Sequence, residues 1–206
     1  MKKALFLIPL LALTVVSSPA LAGFDKKTEA AIDQAIQGEH REDKDKARDK
    51  YRKPKEVLDF MGFRSDMTVV EIWPGGGWYA DILAPALKDE GKYYAAQYNM
   101  NGPYGYQRRG LGAFLTKMGK NPKLFRDVVV TELDLPYSLE IAPKASADMV
   151  LTFRNVHNVV MNIYGGGKYA ELSFQAMYDA LKPGGVLGVV DHQWDDVATE
   201  DPVSEN

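Results

Sequence analysis

The stretch Val69-Val70-Glu71-Ile72-Trp73-Pro74-Gly75-Gly76-Gly77-Trp78-Tyr79 decides the fold of this chain. Residues 67–73 form an almost continuously apolar run, which is typical of a strand buried on both faces of a parallel sheet. The Pro-Gly-Gly-Gly segment predicts a turn, and residues 78–87 predict a helix. Glycines let a backbone approach a ligand closely, so this turn is a candidate binding loop, although a plain tight turn would explain the glycines as well.

Strand and helix patterns continue to alternate after this turn. Four more strands are predicted at residues 92–97, 127–133, 147–153 and 186–190, with helical segments between them. Strands separated by helices pair in parallel through right-handed crossovers, so the sequence predicts an α/β fold with helices on both faces of the sheet. In such a sheet, ligands bind beyond the carboxyl ends of the strands.

Composition excludes several classes of protein. The 206 residues are 46% hydrophobic and contain no cysteine, which excludes wholesale disorder, a disulfide framework, a thiolate zinc site and a cysteine nucleophile. The 25 Lys and Arg against 28 Asp and Glu give a formal charge of −3, and a nucleic-acid partner would need a concentrated excess of basic residues. We therefore expect a small-molecule substrate and one globular domain.

The first 22 residues have the three parts of a secretory signal peptide. Two lysines precede an apolar run, and Ala20-Leu21-Ala22 supplies the small-x-small pattern of a cleavage site. A membrane-spanning helix needs roughly 20 apolar residues, which is more than this run provides. We expect cleavage after Ala22, a periplasmic or secreted mature protein, and no stable membrane anchor.

The remaining chain divides into three parts by composition. Residues 23–55 form a charged N-terminal helical segment, residues 56–192 form the α/β domain, and residues 193–206 form an acidic tail. Within the first part, residues 39–55 alternate in charge sign, which favours a solvated helix laced with ion pairs. The alternative interpretation is a lid over a binding site.

Three further motifs follow the glycine turn in a familiar order. Asp134 lies in a Leu-Asp-Leu-Pro segment after the third strand, Phe-Arg-Asn-Val-His-Asn at 153–158 ends the fourth, and Leu-Lys-Pro-Gly-Gly at 181–185 precedes the fifth. From about Lys53 to His192, the chain resembles class I S-adenosylmethionine-dependent methyltransferases, and residues 69–79 resemble a distinct group of exported methyltransferase-like proteins. The resemblance implies a Rossmann-like fold and S-adenosyl-L-methionine as cofactor.

Carried over by position, the resemblance implies a cofactor site. Glu71 would orient the loop and the methionine amino end, while Gly75 and Gly77 would leave room for the cofactor. Asp134 would hold the adenine amino group, with Leu135 beside the ring.

The resemblance also implies a transfer pocket. It places Asn155 and His157 in the lining of this pocket, and the aromatic cluster around the turn makes Trp78 a candidate cofactor contact. His157 and His192 are candidate bases, because an imidazole titrates near neutrality. Packing in the pocket wall explains His157 equally well, and a hydrogen-bonded strand-end pair is the commoner reason for Asp191-His192. No metal site is expected.

Two positions depart from the family pattern. Trp73 replaces the first glycine, and Gln97 stands where a carboxylate normally accepts hydrogen bonds from both ribose hydroxyls. An amide accepts only through its oxygen and carries no charge, so weaker cofactor binding is expected.

The chain ends early relative to the family pattern. Residues 193–206 are too few for the family's C-terminal strand hairpin, so the fifth strand is expected to be an exposed edge. Such an edge favours a homodimer, a cover of N-terminal helices, or a trimmed chain.

Two functions compete at this stage. One is methyl transfer from S-adenosylmethionine to a small-molecule acceptor. The other is a catalytically degenerate module of the same fold that binds an adenosyl or other small ligand in the periplasm. Another nucleotide-binding α/β enzyme is less favoured, because the glycines match neither Gly-x-x-x-x-Gly-Lys-Ser/Thr nor Gly-x-Gly-x-x-Gly.

Overall fold

A computed structural model describes residues 23–160 and 167–193 and shows a five-stranded parallel sheet. The strand order is β3-β2-β1-β4-β5, which confirms the predicted α/β fold. The strands are β1 Thr68–Ile72, β2 Lys92–Gln97, β3 Val129–Glu132, β4 Ala147–Phe153 and β5 Leu181–Val190.

Helices cover both faces of the sheet. They are α1 Lys26–Gln37, α2 Asp43–Lys46, α3 Asp49–Arg52, α4 Pro54–Phe60, α5 Ala80–Leu87, α6 Gly105–Lys120, α7 Pro122–Phe125, α8 Val156–Val160 and α9 Ala170–Ala180. Helix α5 begins two residues later than expected. The short helices α7 and α8 were not predicted, because four or five residues are too few to show a helical period.

The alternation of side chains along each strand produces two apolar layers. Val69 on β1 and Met149 on β4 face a layer that includes α5 and Ile32 of α1. Their neighbours Val70 and Val150 face the opposite layer, which includes residues of α9. Both faces of the central strands are buried, as the apolar run of β1 predicts.

Strand β5 starts five residues earlier than the sequence pattern predicts. Pro183 and Gly184 were expected to form a turn, but they lie within the strand. Among the described residues β5 pairs only with β4. Leu181 pairs with Ala147 and Val186 with Met149, so Pro183 and Gly184, which has a φ of 81°, lie in an irregular stretch between paired residues. A register irregularity between Ala147 and Met149 accommodates the early start.

The order of the strands places a binding crevice. The chain adds β2 and then β3 on one side of β1 and afterwards returns to β4 on the other side. Loops leaving β1 and β4 therefore diverge at the carboxyl edge, and a crevice opens between them.

Residues 39–55 do not form one solvated helix, as the charge pattern favoured, and that expectation was wrong. This segment is broken into α2 and α3, and Arg41 is only 2% exposed because its guanidinium makes two hydrogen bonds to Asp49. His40, also expected in solvent, is half-buried and donates from Nε2 to the carbonyl of Asp81 at 2.7 Å. The segment packs on the carboxyl edge of the sheet.

Several sequence expectations lie outside the described residues. These are the signal peptide at 1–22 and all of the acidic tail after Gln193. Among residues 23–160 and 167–193, no helix has the length and apolar character required to cross a membrane.

Candidate functional site

Two adjoining cavities lie at the carboxyl ends of β1 and β4. The main cavity, about 930 Å³, is enclosed by the glycine loop (residues 73–77), α6 and the charged segment 39–52, and its wall includes Glu71, Trp78 and His157. A side cavity of about 480 Å³ shares five wall residues with it. The shared residues are Arg48, Arg52, Tyr79, Phe153 and Arg154.

A third cavity, the Asp134 cavity, lies at the ends of β2 and β3 and has a volume of about 300 Å³. Trp73, Tyr98, Asp134 and Leu135 are in its wall. Because Trp73 also lines the main cavity, this residue stands between the two spaces.

The glycine loop has an unusual backbone. Trp73 has a φ of 45°, a left-handed conformation that is costly for a bulky residue, and Gly75 and Gly77 have φ values of 56° and 80°. A Cβ at Gly77 would lie 2.9 Å from the ring of Phe114, whereas a Cβ at Gly75 would meet open space. The loop thus needs glycine at both positions for conformation, and at Gly77 also for close packing against α6.

The indole of Trp73 is buried and held by two contacts. It is 4% exposed, its Nε1 donates to the carbonyl of Leu133 at 2.9 Å, and its ring stacks on Tyr98 with centroids 5.3 Å apart. These contacts connect the end of β1 to the ends of β2 and β3. The indole is therefore a partition between the main cavity and the Asp134 cavity.

Gln97 turns towards the glycine loop. Its side chain is buried, and Nε2 donates to the carbonyl of Gly75 at 2.9 Å. Among the described residues, Oε1 has no hydrogen-bond partner. The Gln97 amide thus supports the loop backbone.

Glu71 is a buried carboxyl group in the wall of the main cavity. It is 3% exposed, and the Tyr93 hydroxyl donates to its Oε2 at 2.5 Å. Burial raises the pKa of Glu71 to about 7, although the Tyr93 hydrogen bond and the charges of Lys117 and Arg52 oppose this rise. Near neutral pH, both the protonated and the ionised form of Glu71 are therefore populated.

An ion pair fastens α6 to the loop. Lys117 pairs with Asp81, whose side chain is 2% exposed, and it also donates to the carbonyl of Gly77 at 3.1 Å. Burial raises the pKa of Asp81, and the Lys117 hydrogen bond opposes this rise. No sequence pattern predicts this ion pair, because Lys117 and Asp81 are 36 residues apart in the chain.

Trp78 joins the charged segment to the cavity. Its Nε1 donates to the carbonyl of Asp45 at 3.1 Å. The guanidinium carbons of Arg41 and Arg52 lie 5.2 Å and 4.6 Å from its ring centroid, within the range of cation–π attraction.

Asp134 and Leu135 both line the cavity on the other side of Trp73. The Asp134 backbone forms an isolated bridge with Ser138, which holds the turn after β3 in place. Burial and the nearby charge of Glu132 raise the pKa of the half-buried Asp134 carboxyl. The carboxyl group is thus positioned in a partly apolar space, next to an aliphatic side chain.

His157 forms a hydrogen-bonded pair with Asp191. Its Nδ1 is 2.7 Å from Oδ1 of Asp191, and its backbone N–H donates to Oδ2 at 3.0 Å. Burial by itself would raise the pKa of Asp191, but the hydrogen bonds from His157 and from the His192 backbone bring it below the usual value. An ionised Asp191 accepts a hydrogen bond from Nδ1–H of His157, which leaves Nε2 of the neutral ring as the basic nitrogen.

His192 lies in the side cavity instead of the main cavity. Together with His157 and Asp191 it offers three ligand atoms within 4.8 Å of one another, a spacing that could hold a metal ion. However, Arg154 donates from Nε and Nη2 to Nε2 of His192 at 3.2 Å and 3.1 Å. The guanidinium occupies that imidazole nitrogen, so it competes with any cation there.

Asn155 has a positioning role in this arrangement. Its side chain is buried, and Nδ2 donates to the carbonyls of Ile72 at 3.0 Å and Phe153 at 3.2 Å. These bonds tie the end of β4 to the end of β1. The amide thus fixes the edge on which His157 sits.

Comparison with known proteins gives a structural likeness only. The sequence matches no protein-family model and no curated protein. A SAM-dependent methyltransferase from Aquifex aeolicus has a similar structure, with a TM-score of 0.55 and 18% identity over 84% of this chain and 77% of that chain.

Two weaker structural likenesses are also methyltransferases. A precorrin-6y C5,15-methyltransferase from Geobacter metallireducens has a TM-score of 0.44 and 22% identity over 65% of this chain and 58% of that one. A SAM-dependent O-methyltransferase from Thermotoga maritima has a TM-score of 0.46 and 15% identity, over 66% of this chain and 42% of that chain. At these identities only the fold is transferable, and the Aquifex structure carries that comparison. The chain therefore has the α/β fold of the Rossmann-like methyltransferases.

Proposed function

We propose that this protein binds S-adenosylmethionine and transfers its methyl group to a small-molecule acceptor. The observation that carries the proposal is that Glu71 and His157 line one cavity beside the glycine loop, with His157 held by a hydrogen bond to Asp191. This cavity lies where the strand order reverses, the position at which open α/β sheets bind their ligands.

The residues present fit the two ends of this cofactor. The Asp134 carboxyl can accept a hydrogen bond from an adenine amine, and Leu135 offers apolar surface beside it. At the other end, Glu71 offers a carboxyl group for an ammonium group. The ribose has the poorest match, because the Gln97 amide is directed at Gly75.

The chain's own contribution to the reaction is alignment and proton transfer. When bound, S-adenosylmethionine supplies an activated methyl group, so catalysis requires an acceptor held in line with it. His157 would accept the acceptor's proton at Nε2, while Asp191 fixes the ring and stabilises the charge that forms. Asn155 and the Arg154 N–H bond to the carbonyl of Val190 keep this edge rigid.

Calorimetric titration of the purified protein with S-adenosylmethionine and S-adenosylhomocysteine tests the proposal. We expect both ligands to bind saturably at submillimolar concentration. Methionine, which lacks the adenosyl group, should give no heat of binding at the same concentration. If both nucleosides bind more weakly than millimolar, the proposed function is wrong.

Turnover is tested separately from binding. The release of S-adenosylhomocysteine is measured across a panel of phenol, amine and thiol acceptors. We expect His157→Ala to lower the best rate by about 10²–10⁴ with little change in cofactor affinity, because a general base contributes that much. An unchanged rate would remove His157 from the reaction.

Two observations favour a second function, a binding module without catalysis. The Trp73 indole separates the two cavities, and Gln97 is committed to the loop. Tight nucleoside binding with no turnover on the whole panel would support this alternative.

Export and self-association are also proposals, which rest on the signal-like residues 1–22 and on the edge position of β5. Mass spectrometry of protein recovered from the cell envelope tests the first, with a mature start at Gly23 expected. Light scattering tests the second, with the mass of a dimer expected. A chain that retains Met1, or a mass that stays monomeric at high concentration, would contradict the respective proposal.

A further inference from the structure

The side cavity has an excess of positive charge. Four of its wall residues are cationic, and only one is acidic. The cations are Arg48, Arg52, Lys53 and Arg154, and the acid is Asp191. Since Asp191 already accepts two hydrogen bonds from His157, its charge is largely committed to that residue.

Only Arg48 of the four cations makes an ion pair in the described part of the chain, a long one of 3.9 Å to Asp45. Arg52 donates no hydrogen bond there, and its guanidinium lies over the Trp78 ring. Arg154 donates to His192, which is an uncharged acceptor when it is deprotonated. The hydrogen-bond donors of Arg52 and Arg154 therefore face the cavity without a carboxylate partner.

The arginines also affect one another. The pKa of Arg52 is lowered, first by burial and then by the charge of Arg48, with a further contribution from Arg154. Like charges brought together in this way cost free energy, which a bound anion would recover.

Backbone strain is concentrated at the same place. Lys53 and Arg154 both have positive φ, 43° and 61°, and both line the side cavity. Such conformations are costly for residues with a Cβ and cluster at ligand sites. The strain supports a binding role for the residues that carry it.

We propose that the side cavity binds an oxyanion, a carboxylate or a phosphate group, through Arg52 and Arg154 with Arg48 at its rim. This inference rests on the proposed function in one respect: in that reaction, the oxyanion belongs to the methyl acceptor. Arg52 and Arg154 also line the main cavity that contains His157, so an acceptor held by its anionic group would extend towards that base. The stacked rings of Tyr79 and Phe153 form an apolar wall shared by both cavities, suited to the carbon part of such a molecule.

Anion binding is tested without any cofactor. Inorganic phosphate, succinate and the neutral analogue succinamide are titrated calorimetrically into the full protein at low ionic strength. We expect phosphate or succinate to bind at millimolar concentration or better, more weakly as salt is added, and succinamide not to bind. Equal binding of succinate and succinamide, or no binding of either anion, would overturn the proposal.

Variants locate the site. Arg52→Gln and Arg154→Gln should each weaken anion binding by about tenfold or more, because each removes charge-assisted hydrogen bonds. Arg52→Lys should retain part of the affinity, which shows that the charge matters and not only the packing on Trp78. Arg126→Gln is the matched control, since Arg126 is exposed and paired with Asp127. Equal affinities in all four variants would place the anion elsewhere.

A second titration separates the acceptor's anion from the cofactor's own carboxylate. S-Adenosylhomocysteine has that carboxylate, and methylthioadenosine lacks it. If the oxyanion belongs to the acceptor, Arg52→Gln and Arg154→Gln leave both nucleoside affinities within about twofold. Selective loss of S-adenosylhomocysteine binding would assign the arginines to the cofactor and contradict the inference.

Failure of the proposed function is distinguishable from failure of this site. Phosphate or succinate binding that depends on Arg52 and Arg154, in a protein that binds neither nucleoside, would retain the oxyanion site and reject methyl transfer. Nucleoside binding without anion binding would reject the oxyanion site and leave the proposed methyl transfer standing.

Discussion

The two sides of Trp73 differ in how their polar groups are used. On the β4 side, Glu71, His157 and the arginines face cavities, and Asp191 orients the histidine. On the β2 side, Gln97 is bound to the glycine loop, and the indole of Trp73 is bound to Leu133. The polar side chains on the β4 side are therefore open to cavities, whereas the Gln97 amide on the β2 side is used as an internal support for the loop.

The largest effect on stability is expected at the buried ion pair between Lys117 and Asp81, which supports the cavities on the β4 side of Trp73. Lys117→Met leaves the nearly buried Asp81 carboxylate without its cation, so the free energy of unfolding should fall by about 3–5 kcal/mol at neutral pH. Urea denaturation measures this change, and the double variant Lys117→Met/Asp81→Leu should recover much of it. If the free energy of unfolding of Lys117→Met falls by less than about 1 kcal/mol, the ion pair does not stabilise the glycine loop.

Stability should also depend on pH through Glu71. Its pKa is raised in the folded protein, from an ordinary value of 4.5 to about 7, so its contribution to stability is complete below pH 4.5 and is lost as the pH rises to 7. Glu71→Gln should remove this loss, and the variant should gain about 2–3 kcal/mol relative to wild type between pH 4.5 and pH 8. Denaturation at both pH values is the measurement, with the exposed Glu56→Gln as control. A parallel pH dependence of wild type and Glu71→Gln would contradict the assignment.

On the β2 side of Trp73, Asp134→Ala tests whether adenine binds in the Asp134 cavity. Losing a hydrogen bond from a buried amine should weaken S-adenosylhomocysteine binding by about 1–3 kcal/mol. Calorimetry measures this change, and the exposed Glu140→Gln serves as control. Equal affinities of wild type and Asp134→Ala would show that adenine binds elsewhere.

The smallest effect on stability is expected at Trp73, the partition between the two cavities. Trp73→Phe keeps a ring to stack on Tyr98 but removes the hydrogen bond to Leu133, so the unfolding free energy should fall by about 1 kcal/mol. The smaller ring also widens the passage between the cavities, so the affinity for S-adenosylhomocysteine should rise a few-fold. A lower affinity in this variant would identify the indole as a cofactor contact instead of a partition.

Periodic local patterns made the fold predictable. The apolar run of β1, the glycine turn and the recurrence of strands specified a parallel sheet, and that prediction is confirmed. Asp134 and His157 could also be placed at strand ends from the sequence. The sequence does not predict which side chains, far apart in the chain, contact one another in the folded protein.

Two groups of residues illustrate this limit. The Lys117–Asp81 ion pair joins helices whose contact follows only from the packed structure. The charge pattern of residues 39–55 is also compatible with a solvated helix, and only its packing over the sheet edge brings Arg52 beside Arg154. Trp73 stood out as a departure from the family pattern, but its role as a partition depends on Leu133 and Tyr98.

The most direct test of the account is a crystal structure of the protein grown with S-adenosylhomocysteine. The account predicts the adenine beside Asp134 and Leu135, and the amino-acid end in the main cavity beside Glu71, with the chain of the ligand passing Trp73. A nucleoside bound outside these two cavities, or crystals in which both remain free of ligand at saturating concentration, would contradict it.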